Sequence, residues 1–527
     1  MTRGADGAAS PRPLSLSYSG GDNEASVSPD RDVRRCVEAG LPRRGQAMTE
    51  QAGAHTPVSA AAISATAPFA GCPSGRRLFG HPVGLWYLAF AEAWERFSYY
   101  GMQTLLVLYM VGQLLQPGHI ESVAGFAQFR AVVEGVYGPL SIQALASAIF
   151  GIYTGLVYLT PVLGGLIADR WLGRTRTILL GATLMTLGHF LMAFDVSFLW
   201  ALACLAIGTG CFKGNIAVQV GSLYAPEDNA RADAFQIFYL GISAGVIASP
   251  LVCGTLGEVY GWHYGFGAAG IGMAVGLGVY LAGARFLPVD PPVAGKKHEA
   301  RHRLSKTDWR VLGLLLAMLP VLALALLGNQ QIFNAYMIWA QNSFDFSLLG
   351  HTMPTSWLIT FDAAASVVML ALSVLFWRLW SRRFPEPDEI TKLVIGAGVT
   401  VLAFVVLAAG AAQSTNGAKI SLWWAVAFHI INSIGFAHLV PVALALYVRM
   451  APRAVGATIV GIFYLHLFVA NNLVGWAGTR FETMTADRFW MAHAVVAGIS
   501  AVILFGLQRP IKRALAKAAA VSSQQGS

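Results

Sequence analysis

The chain has 527 residues, of which 55% are hydrophobic and only 12% are charged, about half the charged share of a soluble domain. That leaves too little polar surface to coat a globule in water, so most of the chain is expected to face lipid. A formal net charge of +9 does not by itself indicate a nucleic-acid partner, because in a membrane protein the placement of positive residues outweighs their sum.

Residues 1–78 are rich in Ala, Ser, Gly, Pro and Arg without sustained periodicity and are expected to form a disordered tail. The tail has no apolar core of the kind a signal peptide needs. Met48 follows PRRGQA and opens MTEQ, so the natural start is expected there. Beyond the tail, apolar runs long enough to cross a ~30 Å hydrocarbon layer as helices follow in close succession. Twelve are expected, near 84–114, 141–167, 176–196, 198–221, 234–257, 262–286, 310–341, 355–379, 393–412, 420–447, 455–477 and 489–508. The connection 287–309 is Pro-rich and then basic, and it divides the spans six and six. The expected organisation is therefore a six-helix bundle at 79–286, a cytoplasmic linker at 287–309, a second six-helix bundle at 310–510 and a polar tail at 511–527. With both termini in the cytoplasm, 21 Lys and Arg fall in cytoplasmic loops and the C-terminal tail and four (Arg130, Lys419, Arg480, Arg488) fall outside, as the positive-inside rule requires. Two six-helix halves around a basic linker match the architecture of the major facilitator fold, an all-α membrane protein whose substrate site lies between the halves near mid-membrane.

Away from the span ends, five formal charges fall inside the spans: Glu92, Glu95 and Arg96 in span 1, Lys213 in span 4 and Asp362 in span 8. Each costs roughly 2.5–3.5 kcal/mol at a span centre on insertion scales, so all five are candidate functional residues. Glu92 and Arg96 are four residues apart and Glu92 and Glu95 three, which puts the trio on one helical face. Two carboxylates then share one guanidinium, leaving a carboxylate free to take and release a proton. Lys213, within GTGCFKGNIAV, has small neighbours that admit a close helix contact. Asp362 has no basic neighbour on its own span and is expected to face the interior.

Other patterns carry no chemistry. GISAG (Gly241 to Gly245) fits a nucleophile elbow only by letter, since it is embedded in an apolar helix rather than a strand-turn-helix. No phosphate-binding loop, zinc motif or calcium loop is present. The cysteines (Cys36, Cys72, Cys204, Cys211, Cys253) lack metal or disulfide spacing and read as small apolar fillers. The span histidines His189, His429, His438, His466 and His493 read as hydrogen-bonded packing residues, with His438 the one candidate for the cavity. No cofactor or metal is expected, an enzyme is not, and a channel built from rings of like residues does not fit unlike charges on unlike helices.

With these residues in view, Glu92 to Gly101 resembles the ExxERFxYYG signature of the proton-coupled oligopeptide transporter family. GGLIADRWLGRTRTILLGA (164–182), FKGN with the downstream LY (212–224), RADAFQIFYLGISAG (231–245) and MAPRAVGATIVGIFYL (450–465) are similar to further signatures of that family. The resemblance implies a symporter in the inner membrane that alternates between outward- and inward-open states and moves di- and tripeptides with protons. It implies proton coupling by Glu92, Glu95 and Arg96, a peptide cavity lined by Tyr99, Tyr100 and Tyr158, and peptide-carboxylate binding by Lys213. The expected partners are short peptides or peptide-like solutes, protons and the lipid bilayer, with no nucleic acid, and the expected state is a monomer.

The chain departs from that pattern inside the cavity. Gln103 stands where the resemblance implies an Arg in span 1, and Asn329 where it implies a Glu in span 7, so both members of one ion pair are neutral. Losing one alone would strand a buried charge at ~3–5 kcal/mol, whereas losing both does not. Phe436 replaces the span 10 Glu that receives the peptide amine, Ser243 replaces an Asn, and Asp362 replaces an Asn in span 8. The expectation is that Asp362 meets the substrate amine or pairs with Lys213. The altered cavity also opens an alternative: transport of another zwitterionic or amine solute, or export, with altered proton coupling.

Overall fold

The computed structural model describes residues 76–525 apart from 226–227, 229, 291–304, 349, 415–417 and 452–455. The expected tail up to residue 75, the start at Met48 and most of the expected linker lie outside the described residues. Strands β1 (Arg77–Leu78) and β2 (His81–Pro82) make a small antiparallel hairpin, as do β3 (Ser347–Leu348) and β4 (His351–Thr352). Everything else of size is helical.

The helices of the N-terminal half are α1 (Val83–Tyr109), α2 (Phe126–Tyr137), α3 (Ile142–Ile167), α4 (Arg174–Leu191), α5 (Phe198–Ser222), α6 (Ala230–Ser249) and α7 (Trp262–Gly283). Those of the C-terminal half are α8 (Lys306–Gln331), α9 (Ala335–Ser343), α10 (Trp357–Trp380), α11 (Glu389–Ala411), α12 (Trp423–Met450), α13 (Gly456–Gly478) and α14 (Ala486–Gln525). Twelve of the described helices are 18 residues or longer, and nine helical segments are apolar enough over that length to cross a membrane. The set of nine leaves out α1, which carries three buried charges, α4, which opens on Arg174 and Arg176, and α13. In a bilayer every backbone polar group must be satisfied within the protein, and uninterrupted helices do this with no outside partner.

Several features depart from the expected elements: β1 occupies residues 77–78 of the expected tail, and the span expected at 310–341 is broken between α8 and α9. A short helix, α2, fills the connection between the first two spans, its apolar Val132 and Val136 exposed. The C-terminal segment expected as a polar tail continues α14 through Gln525, because RALAKAAAV is rich in strong helix formers.

Within the N-terminal half α1 packs on α6 and α7, α3 on α5, and α4 on α5 and α7. Within the C-terminal half α11 packs on α12 and α14, α10 on α12, and α8 on α13 and α14. The halves meet through α3 on α13, α6 on α10, and α1 on α9. The close approaches gather at one end of the molecule. α3 and α13 cross backbone to backbone at Gly151 and Gly475, where a Cβ on Gly151 would stand 2.5 Å from the Gly475 Cα. At the same end the Glu258 carboxylate, beyond the end of α6, accepts the backbone N–H groups of Thr355 and Ser356, each at 2.8 Å, at the start of α10. The Trp357 indole donates to Thr255 Oγ1 at 2.8 Å, and the Ser141 hydroxyl donates to Glu482. Glu258 thus bonds to the N–H groups that a helix start leaves without intrahelical partners, and it does so across the boundary between the halves. This is the latched end.

Candidate functional site

The charged turn of α1 forms the middle of the site. Arg96 Nε lies 2.9 Å from Glu92 Oε1 and 2.6 Å from Glu95 Oε2. All three side chains are buried, Glu95 at 0% exposure. The helical spacing puts both carboxylates beside one guanidinium, as the sequence implies; Arg96 Nε hydrogen-bonds Glu92 Oε1, while Glu92 Oε2, both Glu95 oxygens and Arg96 Nη2 have no hydrogen-bond partner. α6 reaches this turn because Gly245 has no side chain: a Cβ there would sit 2.3 Å from the Ala93 carbonyl and 3.1 Å from Arg96 Cβ. The GISAG segment is therefore a helix-packing surface against the charged turn.

One turn further along α1, the Tyr99 and Tyr100 rings meet edge to face with centroids 5.3 Å apart, and Tyr100 reaches Phe333 of the other half at 6.0 Å. Lys213 on α5 places its Nζ 4.6 Å from the centre of the Tyr158 ring on α3, a cation–π contact of the kind an aromatic face offers a cation away from bulk water. Lys213 also lies within electrostatic range of Arg96, Glu95 and Glu92. Tyr158 packs on the apolar core of the C-terminal half, as do Phe436 and Tyr464. Three spans of one half thus converge on a charged and aromatic surface that abuts the other half, bringing together Glu92, Glu95, Arg96, Tyr99, Tyr100, Tyr158 and Lys213.

The remaining sequence candidates are placed differently. Ser243 donates back to the Tyr239 carbonyl of its own helix at 3.1 Å. Gln103 is buried, with its Oε1 unbonded, and the side chain of Asn329 accepts from Gln330 at 3.4 Å. Among the described contacts Gln103 and Asn329 do not bond to each other. The expected pairing of Asp362 with Lys213 is not what the structure contains. Asp362 Oδ1 instead bonds His429 Nδ1 at 2.8 Å, and His429 Nε2 meets the Tyr336 hydroxyl at 2.9 Å. His429 competes successfully because it rises from α12 directly opposite Asp362 on α10, whereas Lys213 is held over Tyr158. Asp362 still lies within electrostatic range of Tyr100, as do Arg96 and Glu95. His438 is not a cavity group: its Nδ1 donates to the Ile434 carbonyl at 2.8 Å, and its Nε2 accepts from Trp377 at 2.9 Å.

His429 and Tyr336 are the site residues that sequence reading missed. The signal for them was indirect: a buried Asp362 without a basic neighbour needs a partner, and His429 is one of few polar side chains in span 10. Among the described residues no group of three His, Cys, Asp or Glu is placed to hold a metal ion.

The fold has known counterparts. The chain is 28% identical over 513 residues to the peptide transporter YePEPT of Yersinia enterocolitica subsp. palearctica serotype O:3 (strain YE-P4), covering 84% of this chain and 96% of that one. It is 29% identical over 500 residues to a di-/tripeptide transporter of Lactococcus lactis subsp. lactis (strain IL1403), covering 83% and 97%. The crystal structure of peptide transporter POT in complex with sulfate superposes with a TM-score of 0.72 at 23% identity, covering 88% of this chain and 99% of that chain, which places the molecule in the major facilitator fold. The family model described as POT family matches residues 175–305 and 296–493, and with more than half of its length so matched, the chain belongs to the POT family, a family of multi-pass membrane transporters.

Proposed function

We propose that the protein is a proton-coupled symporter of the inner membrane that imports di- and tripeptides or peptide-like solutes by alternating access. The two halves, 79–286 and 310–510, rock about the substrate site, and the linker 287–309 and both termini lie in the cytoplasm. In this reading the protein works as a monomer with no cofactor and performs no covalent chemistry, and the latched end faces the periplasm. The relatives named as peptide and di-/tripeptide transporters support the cargo.

The observation that carries the coupling is Arg96 shared between two buried carboxylates. An extra proton on Glu95 frees Arg96 to pair fully with Glu92. Its loss restores a net negative charge beside Lys213, and Lys213 over Tyr158 is then drawn between that charge and the carboxylate of a bound peptide. Tyr99, Tyr100, Tyr158 and Phe436 form the apolar walls, Gln103, Ser243 and Asn329 the neutral polar contacts, and Asp362 the counter-charge for the peptide amine. The test is uptake of labelled dialanine into proteoliposomes with and without an inward proton gradient. The wild type is expected to accumulate dialanine only with the gradient, and Glu95→Gln and Glu92→Gln are expected to equilibrate it without accumulation. Uphill uptake by both variants would refute the coupling role. The departures at Gln103, Asn329 and Phe436 favour one second reading, a different amine-bearing zwitterion as cargo, which failure of dialanine with accumulation of such a solute would support.

A further inference from the structure

A polar contact surface runs between α10 and α12, apart from the charged turn of α1. Asp362, Ser366, Ser373 and Trp377 recur on one face of α10 at ~100° per residue, and each bonds a side chain of α12. Ser366 meets Ser433 at 3.1 Å and Ser373 meets His438 Nε2 at 3.2 Å. At the end of this surface nearest the latch lies the chain Tyr336–His429–Asp362, with His429 fully buried and the Asp362 side chain 13% exposed.

The hydrogen-bond chemistry of that chain allows two protonation states. An ionised carboxylate only accepts, so His429 Nδ1 carries a proton toward Asp362. His429 Nε2 faces a tyrosine hydroxyl, which can donate to a bare ring nitrogen or accept from a protonated one. His429 therefore gains or loses a proton at Nε2 without losing a bond. His438 differs: Nδ1 donates to a carbonyl and Nε2 accepts from the Trp377 N–H, a donor that cannot reverse. One histidine keeps both of its bonds in either protonation state and the other does not.

The location puts this chain at the contact between the halves. Thr360, two residues before Asp362, donates to the Ile247 carbonyl of α6 at 3.0 Å, and Tyr100 of α1 lies within the field of Asp362. The titratable groups around the pair are Tyr336 on α9, Tyr100 on α1 and, behind Phe404, His493 on α14. Separating α6 from α10 opens the pair to water on one side, and moving α1 alters the charge it faces.

Resting on the symport reading above, we propose that Asp362 and His429 form a second proton-binding site in the C-terminal half, which takes one proton from the outer side and releases it inward in each cycle. The proton belongs to the pair rather than to either residue. The test uses the full chain in proteoliposomes, with the proton-to-dialanine ratio read from the reversal potential and dialanine counterflow, which needs no gradient, as the control for folding. His429→Gln is expected to lower the ratio by one proton while counterflow persists, and His438→Gln is expected to leave it unchanged. An unchanged ratio in His429→Gln, or an equal drop in His438→Gln, overturns the proposal. Should the wild type not carry dialanine, the peptide reading fails separately. The pair is then read without cargo by pH-jump infrared difference spectroscopy: imidazole and carboxylate bands that disappear in His429→Gln support it, and bands identical to wild type overturn it.

Discussion

Glu258 offers the most direct perturbation of the alternating-access cycle. Its carboxylate receives two backbone N–H groups at 2.8 Å from the other half, bonds that exist only while the latched end is closed. A hydrogen bond to a charged group contributes ~1.5–3 kcal/mol and a neutral one ~1 kcal/mol. In Glu258→Gln one amide oxygen remains as a neutral acceptor, the second bond is lost, and the favourable charge at a helix start disappears. Because Glu258 is half-buried and the freed N–H groups are rehydrated on opening, the net destabilisation of the closed end is discounted to about 1–2 kcal/mol. At 1.36 kcal/mol per tenfold, that is a shift of about 5- to 30-fold toward the open arrangement. Trp357 bonded to Thr255 and Ser141 bonded to Glu482 remain, so the variant opens more often rather than permanently. The assay is pulsed electron spin resonance between spin labels at Val136 and Met484, exposed positions at the latched end of the two halves. A longer-distance population is expected to grow in Glu258→Gln and further in Glu258→Gln combined with Ser141→Ala. Distance distributions identical to wild type in both would refute the latch.

Two more outcomes follow from packing and charge. Gly151→Val places side-chain carbon where Gly475 backbone already lies at 2.5 Å, so α3 and α13 are forced apart at a cost of ~1–3 kcal/mol; the same spin-label pair is expected to report opening, whereas Gly506→Val, with nothing within 4 Å of its Cβ, is expected to report none. At the opposite end Asp388 caps α11 and meets Lys512 Nζ at 2.8 Å. Burial pushes its carboxyl up, but bonds from Lys512 and Thr391 outweigh burial and hold it below the usual range. That contribution is present above the unfolded value of ~3.9 and lost as pH falls through the lowered one. Acid below about pH 4 is therefore expected to lower the melting temperature of the wild type in detergent more than that of Asp388→Asn, by under ~1 kcal/mol because the pair is partly exposed.

The helical spans and the charged turn of α1 were legible because each rests on local rules: the length a helix needs to cross a bilayer, and the spacing that sets three side chains on one face. α2 escaped because a short exposed helix in a connection has no bilayer to specify its length. The partner of Asp362 escaped for a deeper reason. Glu92, Glu95 and Arg96 lie within one turn of a single helix, so their pairing follows from the sequence itself, whereas Asp362 and His429 are 67 residues apart and meet only because α10 and α12 pack in one register. Charge alone made Lys213 the natural counter-ion, since it was the one cation in the spans without a partner. The Tyr158 ring supplied Lys213 with a neutral alternative, and a histidine, counted as neutral in any tally of formal charge, supplied Asp362 with a basic one. A charge balance that treats His as neutral thus overlooks the residue most able to change its charge in a buried site. The latch was invisible for a related reason: Glu258 bonds to backbone, and no residue type at positions 355 and 356 announces an N–H group in need of an acceptor. What the sequence makes plain is the machinery within single helices; what binds one half to the other is written in their packing.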